Sequence, residues 1–302
     1  MEWHVVIVQT RPKKGDYQHS LNRLAATFAQ LDDANEPTDI LVLPEYALTG
    51  YFLQGGVTEV ARPVDVMFQE VLDSYRRSTR RTMPNLDVVI GFPERYQTRL
   101  YNAVLYATLS HDDAQARIVH VHRKFFLPTY GVFDEQRYVN RGRHIDAFET
   151  KAGVAGMLIC EDAWHSITGA ILALRGVNVI YIPVASPARG FAGEAVSNID
   201  RWHRLSQSIA EEHAIFVVTS NLVGVEGGKG FIGSSIVANP FGEILVEGPA
   251  GEECMLRATL DLEEIAIARA SLPLLGDLES HLPDLLRELR AAGIPAEEVL
   301  PQ

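Results

Sequence analysis

The sequence predicts an α/β protein in which mixed sheets pack face to face and helices cover their outer sides. Two observations predict this class. Short apolar runs alternate with longer segments of helical periodicity, which is typical of strands alternating with helices. Two pairs of predicted strands flank polar turns, which indicates hairpins and argues against an all-parallel (β/α)₈ barrel. The 302 residues are 47% hydrophobic, enough to bury a large core, and no repeat or linker divides them.

Apolar or alternating segments mark the predicted strands. Trp3–Gln9 opens the chain as a strand, and Asp39–Leu43 is a second, buried strand that ends at Pro44. The polar turns His111-Asp112-Asp113 and Asn239-Pro240-Phe241-Gly242 each join two strands into a hairpin. The remaining predicted strands are Asp87–Phe92, Tyr101–Leu109, Arg117–His122, Val154–Ile159, Val177–Val184, Ile215–Ser220, Phe231–Ala238, Glu243–Val246 and Cys254–Leu260.

Helices are predicted where apolar residues recur every three or four positions. Leu24, Phe28 and Leu31 share one face of a helix that begins near Tyr17. The other predicted helices are Pro63–Arg80, a helix between the Val154 and Val177 strands, a helix around Ile199–Ile209, Leu262–Ala270 and Leu282–Ala292. We expect residues 1–270 to form one domain and residues 271–302 to form a helical tail.

Charge and cysteine content restrict the class of protein. A net charge of −12 argues against binding to nucleic acid or to an anionic membrane surface. The longest apolar run, residues 171–185, is interrupted by polar residues and cannot span a bilayer. Cys160 and Cys254 provide no disulfide framework, and Met1–His4 lacks the basic segment of a signal peptide. We therefore expect a cytoplasmic protein.

Three chemically active side chains follow predicted strands. Glu45, Lys124 and Cys160 each stand where an apolar or alternating run ends. At a strand-to-helix turn, backbone N–H groups converge on the cysteine and favour its thiolate. Attack of a thiol on a carbonyl needs a nucleophile, a proton shuttle and a partner for the oxyanion, and this set supplies all three. Each residue alone also has a structural explanation, as a buried apolar group, a helix cap or a solvated cation.

The three side chains lie in the segments Leu43-Pro44-Glu45-Tyr46, Arg123-Lys124 with Leu127-Pro128, and Ile159-Cys160-Glu161-Asp162. These segments resemble the three motifs of the nitrilase superfamily of carbon–nitrogen hydrolases. The resemblance extends from about residue 3 to residue 262. It implies a four-layer α-β-β-α sandwich, a catalytic set of Glu45, Lys124 and Cys160, and no metal or organic cofactor.

The loop after Lys124 makes the resemblance more specific. Residues 127–138 are similar to the glutaminase domain of glutamine-dependent NAD synthetases, and this similarity implies that Glu135 is a second active-site glutamate. The 302 residues contain no phosphate-binding glycine loop, so we expect no synthetase domain in this chain. Gly227-Gly228-Lys229-Gly230 lacks the required spacing and is expected to be a turn. The residues expected to contact substrate are Tyr51, Tyr130, Glu161, Trp164 and Ser186.

The expected reaction is hydrolysis of a small-molecule primary amide, with small or glutamine-like acyl groups preferred. Cys160 forms an acyl-thioester, Glu45 acts as general base and acid, and Lys124 holds the oxyanion together with a backbone N–H. The same residues also suit hydrolysis of a nitrile, removal of a carbamoyl group or transfer of the acyl group to an amine. A non-catalytic binding protein of this fold is the remaining alternative, and the intact catalytic set argues against it.

The resemblance also implies a homodimer or a multiple of one, paired through the helices Trp164–Gly176 and Ile199–Ala210. The tail after residue 270 is expected at this subunit interface. His165 lies beside a cysteine and two acids but lacks a closed zinc pattern, so no metal site is expected. Glu161 and Asp162 are instead expected to cap the following helix or to accept backbone N–H groups.

Overall fold

Two six-stranded sheets lie at the centre of the fold. The computed structural model describes residues 1–188, 191–192 and 195–293. The first sheet contains, in spatial order, β16 (Cys254–Asp261), β1 (Glu2–Gln9), β2 (Ile40–Val42), β3 (Leu86–Tyr96), β4 (Arg99–Leu109) and β5 (Arg117–Arg123). The second contains β15 (Ile244–Glu247), β14 (Ile236–Ala238), β11 (Phe216–Asn221), β8 (Val179–Val184), β7 (Gly153–Met157) and β6 (Ala147–Thr150). Each sheet has a parallel centre and antiparallel edges, so the prediction of mixed sheets is confirmed.

Helices and two short ribbons complete the described chain. The ribbons pair β9 (Phe191–Ala192) with β10 (Ala195–Val196), and β12 (Val223–Glu226) with β13 (Lys229–Ile232). The helices are α1 (Tyr17–Ala34), α2 (Val57–Val60), α3 (Val64–Ser78), α4 (Ser166–Leu174), α5 (Ser197–His213), α6 (Glu263–Ser271) and α7 (Leu274–Ala291). Short 3₁₀ turns occupy Gln54–Gly56, Glu135–Arg137 and Cys160–Trp164. No helix in the described ranges is long and apolar enough to cross a membrane.

The four layers follow from the alternation of side chains along the strands. Val5 and Ile7 of β1 point into the core shared with the second sheet, whereas Val6 and Val8 point to the opposite face. That opposite face is covered by α1 and α3, whose contacting residues include Phe28. On the far side of the molecule, α5 packs on β11 and β14 and contacts α4. The expected α-β-β-α sandwich is therefore confirmed.

Local sequence explains where the first helix begins and ends. The Asp16 side chain accepts the backbone N–H of His19 at 3.0 Å, which caps the N-terminus of α1. Asn35 follows the helix in the left-handed conformation, with a φ of 51°, and so ends it. The face predicted from Leu24, Phe28 and Leu31 is the buried face.

Three features of the structure differ from the predicted elements. The predicted strand Phe231–Ala238 is broken, because Gly233 and Ser234 adopt left-handed φ values of 69° and 55° between β13 and β14. These two strands have different partners, since β13 pairs with β12 and β14 pairs with β11. The short edge strand β6 was not predicted. The tail helix begins at Leu274 rather than Leu282 and contains Pro283 in its interior; the tail predicted beyond residue 293 lies outside the described residues.

Candidate active site

Glu45 lies in the turn that follows β2, and its side chain is fully buried. The neighbouring strand β3 passes so close that a Cβ on Gly91 would lie 2.7 Å from the Glu45 Cα. Only glycine permits this approach, and the Gly91 carbonyl accepts the Ala47 N–H at 3.0 Å. Tyr46 adopts a left-handed φ of 52°, which turns the chain directly after the glutamate. Local backbone packing therefore determines the position of Glu45.

Lys124 lies one residue beyond β5, where two main-chain contacts hold it. Its N–H donates to the Asn102 carbonyl at 2.8 Å, and its carbonyl accepts the Gly142 N–H at 2.7 Å. Its ammonium donates to Glu45 Oε1 at 2.8 Å and to Glu135 Oε1 at 2.6 Å. The lysine is 1% exposed, so its charge is balanced by these two carboxylates rather than by water.

Cys160 begins the 3₁₀ turn after β7 with a φ of 42°, in the left-handed region. A non-glycine residue in this region is strained, and such strain is retained where the surrounding structure requires it. The thiol is 6% exposed, and the backbone N–H of Ala185 lies close enough to act on it, in the direction that lowers its pKa. The same N–H donates to Glu45 Oε2 at 2.9 Å, which links the cysteine to the acid-lysine cluster.

Asp162 joins the turn of Cys160 to the segment that carries Lys124. Its Oδ1 accepts the N–H groups of Phe125 at 3.0 Å and Phe126 at 2.8 Å. Its Oδ2 accepts the Ile159 N–H at 3.1 Å and lies 2.9 Å from His122 Nε2. The prediction that Asp162 accepts backbone N–H groups is confirmed.

Glu135 is brought into the cluster by the loop after β5. The Tyr51 hydroxyl donates to its Oε1, which also accepts the Lys124 ammonium. The side-chain amide of Asn102 donates to Glu45 Oε1 at 2.6 Å and reaches Glu135 Oε2 at 3.5 Å. Asn102 was not predicted from the sequence, because a single amide inside strand β4 does not by itself indicate a role.

Burial and charge act together on the ionisable groups of the cluster. Burial, with repulsion from Glu45, raises the pKa of Glu135 to about 7, although Lys124 opposes the shift. Burial alone would lower the pKa of Lys124, but the two carboxylates raise it well above its usual value. Burial and the Glu45 carboxylate raise the pKa of Cys160, against the expectation from the sequence. The following turn is too short to offset the loss of hydration.

The other residues expected to contact substrate have three different surroundings. Tyr51 is buried against Glu135. Tyr130 is 51% exposed, and its hydroxyl donates to Glu161 Oε2 at 2.7 Å. Trp164 is 39% exposed and its ring meets the Trp202 ring edge-on, with centroids 5.3 Å apart.

Ser186 lies next to Ala185 in the chain and is buried. Its hydroxyl accepts the Trp202 Nε1–H at 2.9 Å and the Asn198 amide at 2.6 Å. Two donors from α5 therefore orient this hydroxyl.

A cavity of about 230 Å³ adjoins the acid-lysine cluster. Tyr46, Tyr51 and Glu135 form the wall that it shares with the cluster, and Phe133 and Lys229 lie elsewhere around it. Cys160 does not line this cavity, so the cavity approaches the cluster from the side of Glu135.

The glycine-rich segment 227–230 and the surroundings of His165 were also interpreted from the sequence. Gly227 and Gly228, with φ values of 57° and 77°, form the turn between β12 and β13, so the predicted turn is confirmed although its hairpin was not predicted. His165 stacks on Phe126 with ring centroids 3.7 Å apart. Over residues 1–188, 191–192 and 195–293, no group of three or more His, Cys, Asp or Glu side chains could hold a metal ion.

The protein is therefore an α-β-β-α sandwich of two mixed sheets that contains a buried cluster of glutamate, lysine and cysteine. The chain belongs to the carbon–nitrogen hydrolase family, whose sequence model matches residues 4–270. The resemblance to the nitrilase superfamily is thereby confirmed.

Individual relatives agree with this assignment. The chain is 31% identical to the glutamine-dependent NAD(+) synthetase of Aquifex aeolicus over 78% of its own length, but it spans only 38% of that protein. It is 27% identical to the 2-oxoglutaramate amidase of Bacillus subtilis, covering 93% of this chain and 100% of the relative. A carbon–nitrogen hydrolase structure from Helicobacter pylori shares the fold with a TM-score of 0.79 and 22% identity, covering 95% of this chain and 99% of that chain.

Proposed function

We propose that this chain hydrolyses a primary amide of a small molecule to a carboxylic acid and ammonia. The observation that carries the proposal is the buried Lys124 ammonium, held at 2.8 Å from Glu45 and 2.6 Å from Glu135. The Ala185 N–H connects this ion cluster to the Cys160 thiol. Together these groups offer a nucleophile, a base and a cation for the oxyanion.

The raised pKa of Cys160 decides how the nucleophile is formed. The resting group is a thiol at neutral pH, so a base must remove its proton as sulfur attacks the amide carbon. Glu45 takes this proton, and Lys124 with a backbone N–H of the Cys160 turn holds the oxyanion. Glu45 then passes the proton to the departing nitrogen, which leaves as ammonia.

The second half of the reaction regenerates the cysteine. Glu45, again a carboxylate, removes a proton from water as the water oxygen attacks the thioester carbon. The tetrahedral intermediate collapses with cleavage of the carbon–sulfur bond, and the thiolate recovers the proton from Glu45. The products are the carboxylic acid and free Cys160, so no external oxidant, reductant or cofactor enters the balance.

Glu135 favours an amide over a nitrile in this proposal. Its carboxylate accepts a hydrogen bond from the amide NH₂ group while it also holds Lys124. A linear nitrile has no such donor in its ground state. Hydrolysis of a nitrile or of an N-carbamoyl compound, which would use the same Glu45 and Cys160, is an outcome that the substrate panel below distinguishes.

The acyl side of the substrate is proposed to contact Tyr51, Tyr130, Glu161, Trp164 and Ser186. Tyr130 and Glu161 are hydrogen-bonded to one another, and Glu161 directly follows Cys160 in the chain, so the pair presents a polar surface beside the cysteine turn. The names of two relatives refer to glutamine and 2-oxoglutaramate, which both carry a terminal carboxamide. These names support a glutamine-like acyl group for this chain.

Ammonia release from matched amides, nitriles and carbamoyl compounds tests the proposal. We expect the amide to give the highest kcat/KM, and Cys160→Ala to abolish turnover while circular dichroism remains unchanged. Intact mass spectrometry of acid-quenched wild type should show an acyl adduct on Cys160. Cys254→Ala is the matched control, because Cys254 lies on the edge strand β16 and should be dispensable. Full activity of Cys160→Ala would contradict the mechanism.

We also propose that residues 1–270 form the hydrolase domain and that the molecule is a homodimer or a multiple of one. Trp164 and Ile167 expose 39% and 49% of their surface beside the Cys160 turn, and α7 carries exposed leucines. Such apolar surface supports pairing through α4, α5 and the tail 271–302. Both cysteines are free, which supports a cytoplasmic location. A monomer mass that is independent of concentration in sedimentation would contradict the dimer.

A further inference from the structure

A fully buried asparagine lies between the two carboxylates of the cluster. Asn102 Nδ2 donates to Glu45 Oε1 at 2.6 Å and reaches Glu135 Oε2 at 3.5 Å. Its own backbone carbonyl accepts the Lys124 N–H at 2.8 Å. One residue of β4 therefore contacts the proposed base, the proposed oxyanion donor and the second glutamate.

The orientation of this side chain follows from the chemistry of its neighbours. Both atoms that it faces are carboxylate oxygens. An ionised carboxylate has no hydrogen to donate, so the NH₂ end of the amide must face them. Asn102 Oδ1 is consequently buried without a hydrogen-bond partner among the described residues. An unpaired buried oxygen costs stability, and a role at a reactive site is one reason that a native structure retains such an atom.

The two oxygens of Glu45 therefore have different environments. Oε1 accepts the Lys124 ammonium at 2.8 Å and the Asn102 amide at 2.6 Å. Oε2 accepts the Ala185 N–H at 2.9 Å, and the same N–H also acts on the Cys160 thiol. Oε1 thus has two donors and Oε2 has one, so Oε2 is the oxygen that retains a lone pair for the thiol proton.

We propose that Asn102 is a positioning residue that makes Glu45 Oε2 the proton-accepting oxygen of the amidase reaction. This inference rests on the proposed function. Asn102 holds the carboxylate plane so that the S–H proton of Cys160 moves to Oε2 and later leaves from Oε2 to the ammonia nitrogen. A neutral amide suits this role because it donates to both carboxylates and does not compete for the proton.

Replacement of the amide changes the rate and its pH dependence. The groups that face Glu45 are Lys124, Glu135, Cys160, Tyr46 and Tyr51. Loss of the Asn102 donor adds to the burial that already raises the pKa of Glu135, so the acid limb of the kcat profile moves to higher pH. Misalignment of the base should lower kcat about 100-fold. KM should change little, because this side chain is not placed against substrate.

Two substitutions test the proposal together. Asn102→Ala removes both donors, and the isosteric Asn102→Asp keeps the volume while adding a third acid. We expect both to lower kcat, with Asn102→Asp shifting the acid limb further. Asn239→Ala is the control for loss of a buried asparagine, since Asn239 binds Glu243 in a distant turn. It should leave kcat and the pH profile unchanged.

Alkylation of Cys160 by iodoacetamide provides a second measurement that needs no substrate. It separates the two proposals, because failure of wild type to release ammonia refutes the amidase assignment but leaves this readout intact. We expect alkylation at neutral pH to slow about tenfold in Asn102→Ala, because a misaligned base removes the thiol proton less readily. If the alanine variant does not fold, the isosteric aspartate decides. A folded variant that keeps both the wild-type kcat and the wild-type alkylation rate would overturn the inference. A variant in which only KM changes would overturn it as well.

Discussion

Replacement of Asp162 by asparagine tests whether one buried carboxylate holds together the Cys160 turn and the segment that follows Lys124. Asp162 is fully buried and accepts the N–H groups of Phe125, Phe126 and Ile159, besides its contact with His122. The asparagine oxygen can keep the two donors at the first carboxylate oxygen. Its NH₂ group must then face the Ile159 N–H, which leaves a buried donor without an acceptor.

The expected loss of stability follows from these four contacts. Two charge-assisted hydrogen bonds become neutral ones, which costs about 1 kcal/mol of folding free energy each. One buried donor becomes unsatisfied, which costs about 1–3 kcal/mol more. Asp162→Asn should therefore lower the free energy of unfolding by about 3–5 kcal/mol, a large part of the roughly 5–15 kcal/mol of a typical domain. Amide hydrolysis should fall as well, because the Cys160 turn and the Lys124 segment share this anchor.

Urea denaturation followed by circular dichroism measures the change, and an unchanged m value shows that the surface exposed on unfolding is the same. Asp113→Asn is the matched control: Asp113 is 91% exposed in its ion pair with Arg76, so water screens the interaction. Its denaturation midpoint should match wild type. An Asp162→Asn midpoint as close to wild type as that of the control would refute the anchoring role.

Three further predictions concern the cluster. Glu135→Gln should lower amide kcat/KM about 100-fold, with less effect on the matched nitrile; a wild-type preference for the nitrile or an unchanged amide rate would contradict this. Because the pKa of Glu135 is raised to about 7, wild-type kcat/KM should rise with pH through that region as the acid ionises, and a flat profile there would exclude the proposed role. Glu226 Oε2 accepts the N–H groups of Tyr51 and Phe52, so Glu226→Ala should lower the free energy of unfolding, measured by urea denaturation, by about 1–3 kcal/mol and should also reduce kcat. A variant with the wild-type free energy of unfolding and the wild-type kcat would contradict this.

The strands and most helices could be predicted because their buried residues recur in the sequence with the period of a strand or a helix. Alternate residues of β1 face two different cores, and the leucines of α1 lie on its buried face. The break at Gly233 could not be predicted from periodicity, because it depends on which strands pair with β13 and β14. The short strand β6 has only four residues, half-buried or exposed, so it carries little apolar pattern.

The identities of the proposed catalytic residues were visible for a different reason. Glu45, Lys124 and Cys160 are reactive side chains at the ends of strands, and their flanking motifs resemble a known family. Asn102 has no such signal, because an asparagine in a strand is chemically ordinary until its neighbours are known. The same is true of the Ala185 N–H, which carries no side-chain information at all.

The sequence by itself determined the layered α/β class and the identity of the three side chains that we propose to be catalytic. Only the tertiary structure decided the electrostatic interactions of those groups. Lys124 forms ion pairs with both Glu45 and Glu135, and burial raises the pKa of Cys160. Periodicity and side-chain chemistry are local properties, so the sequence displays them directly. Hydration and electrostatic interaction depend on distances between residues far apart in the chain, and folding alone sets those distances.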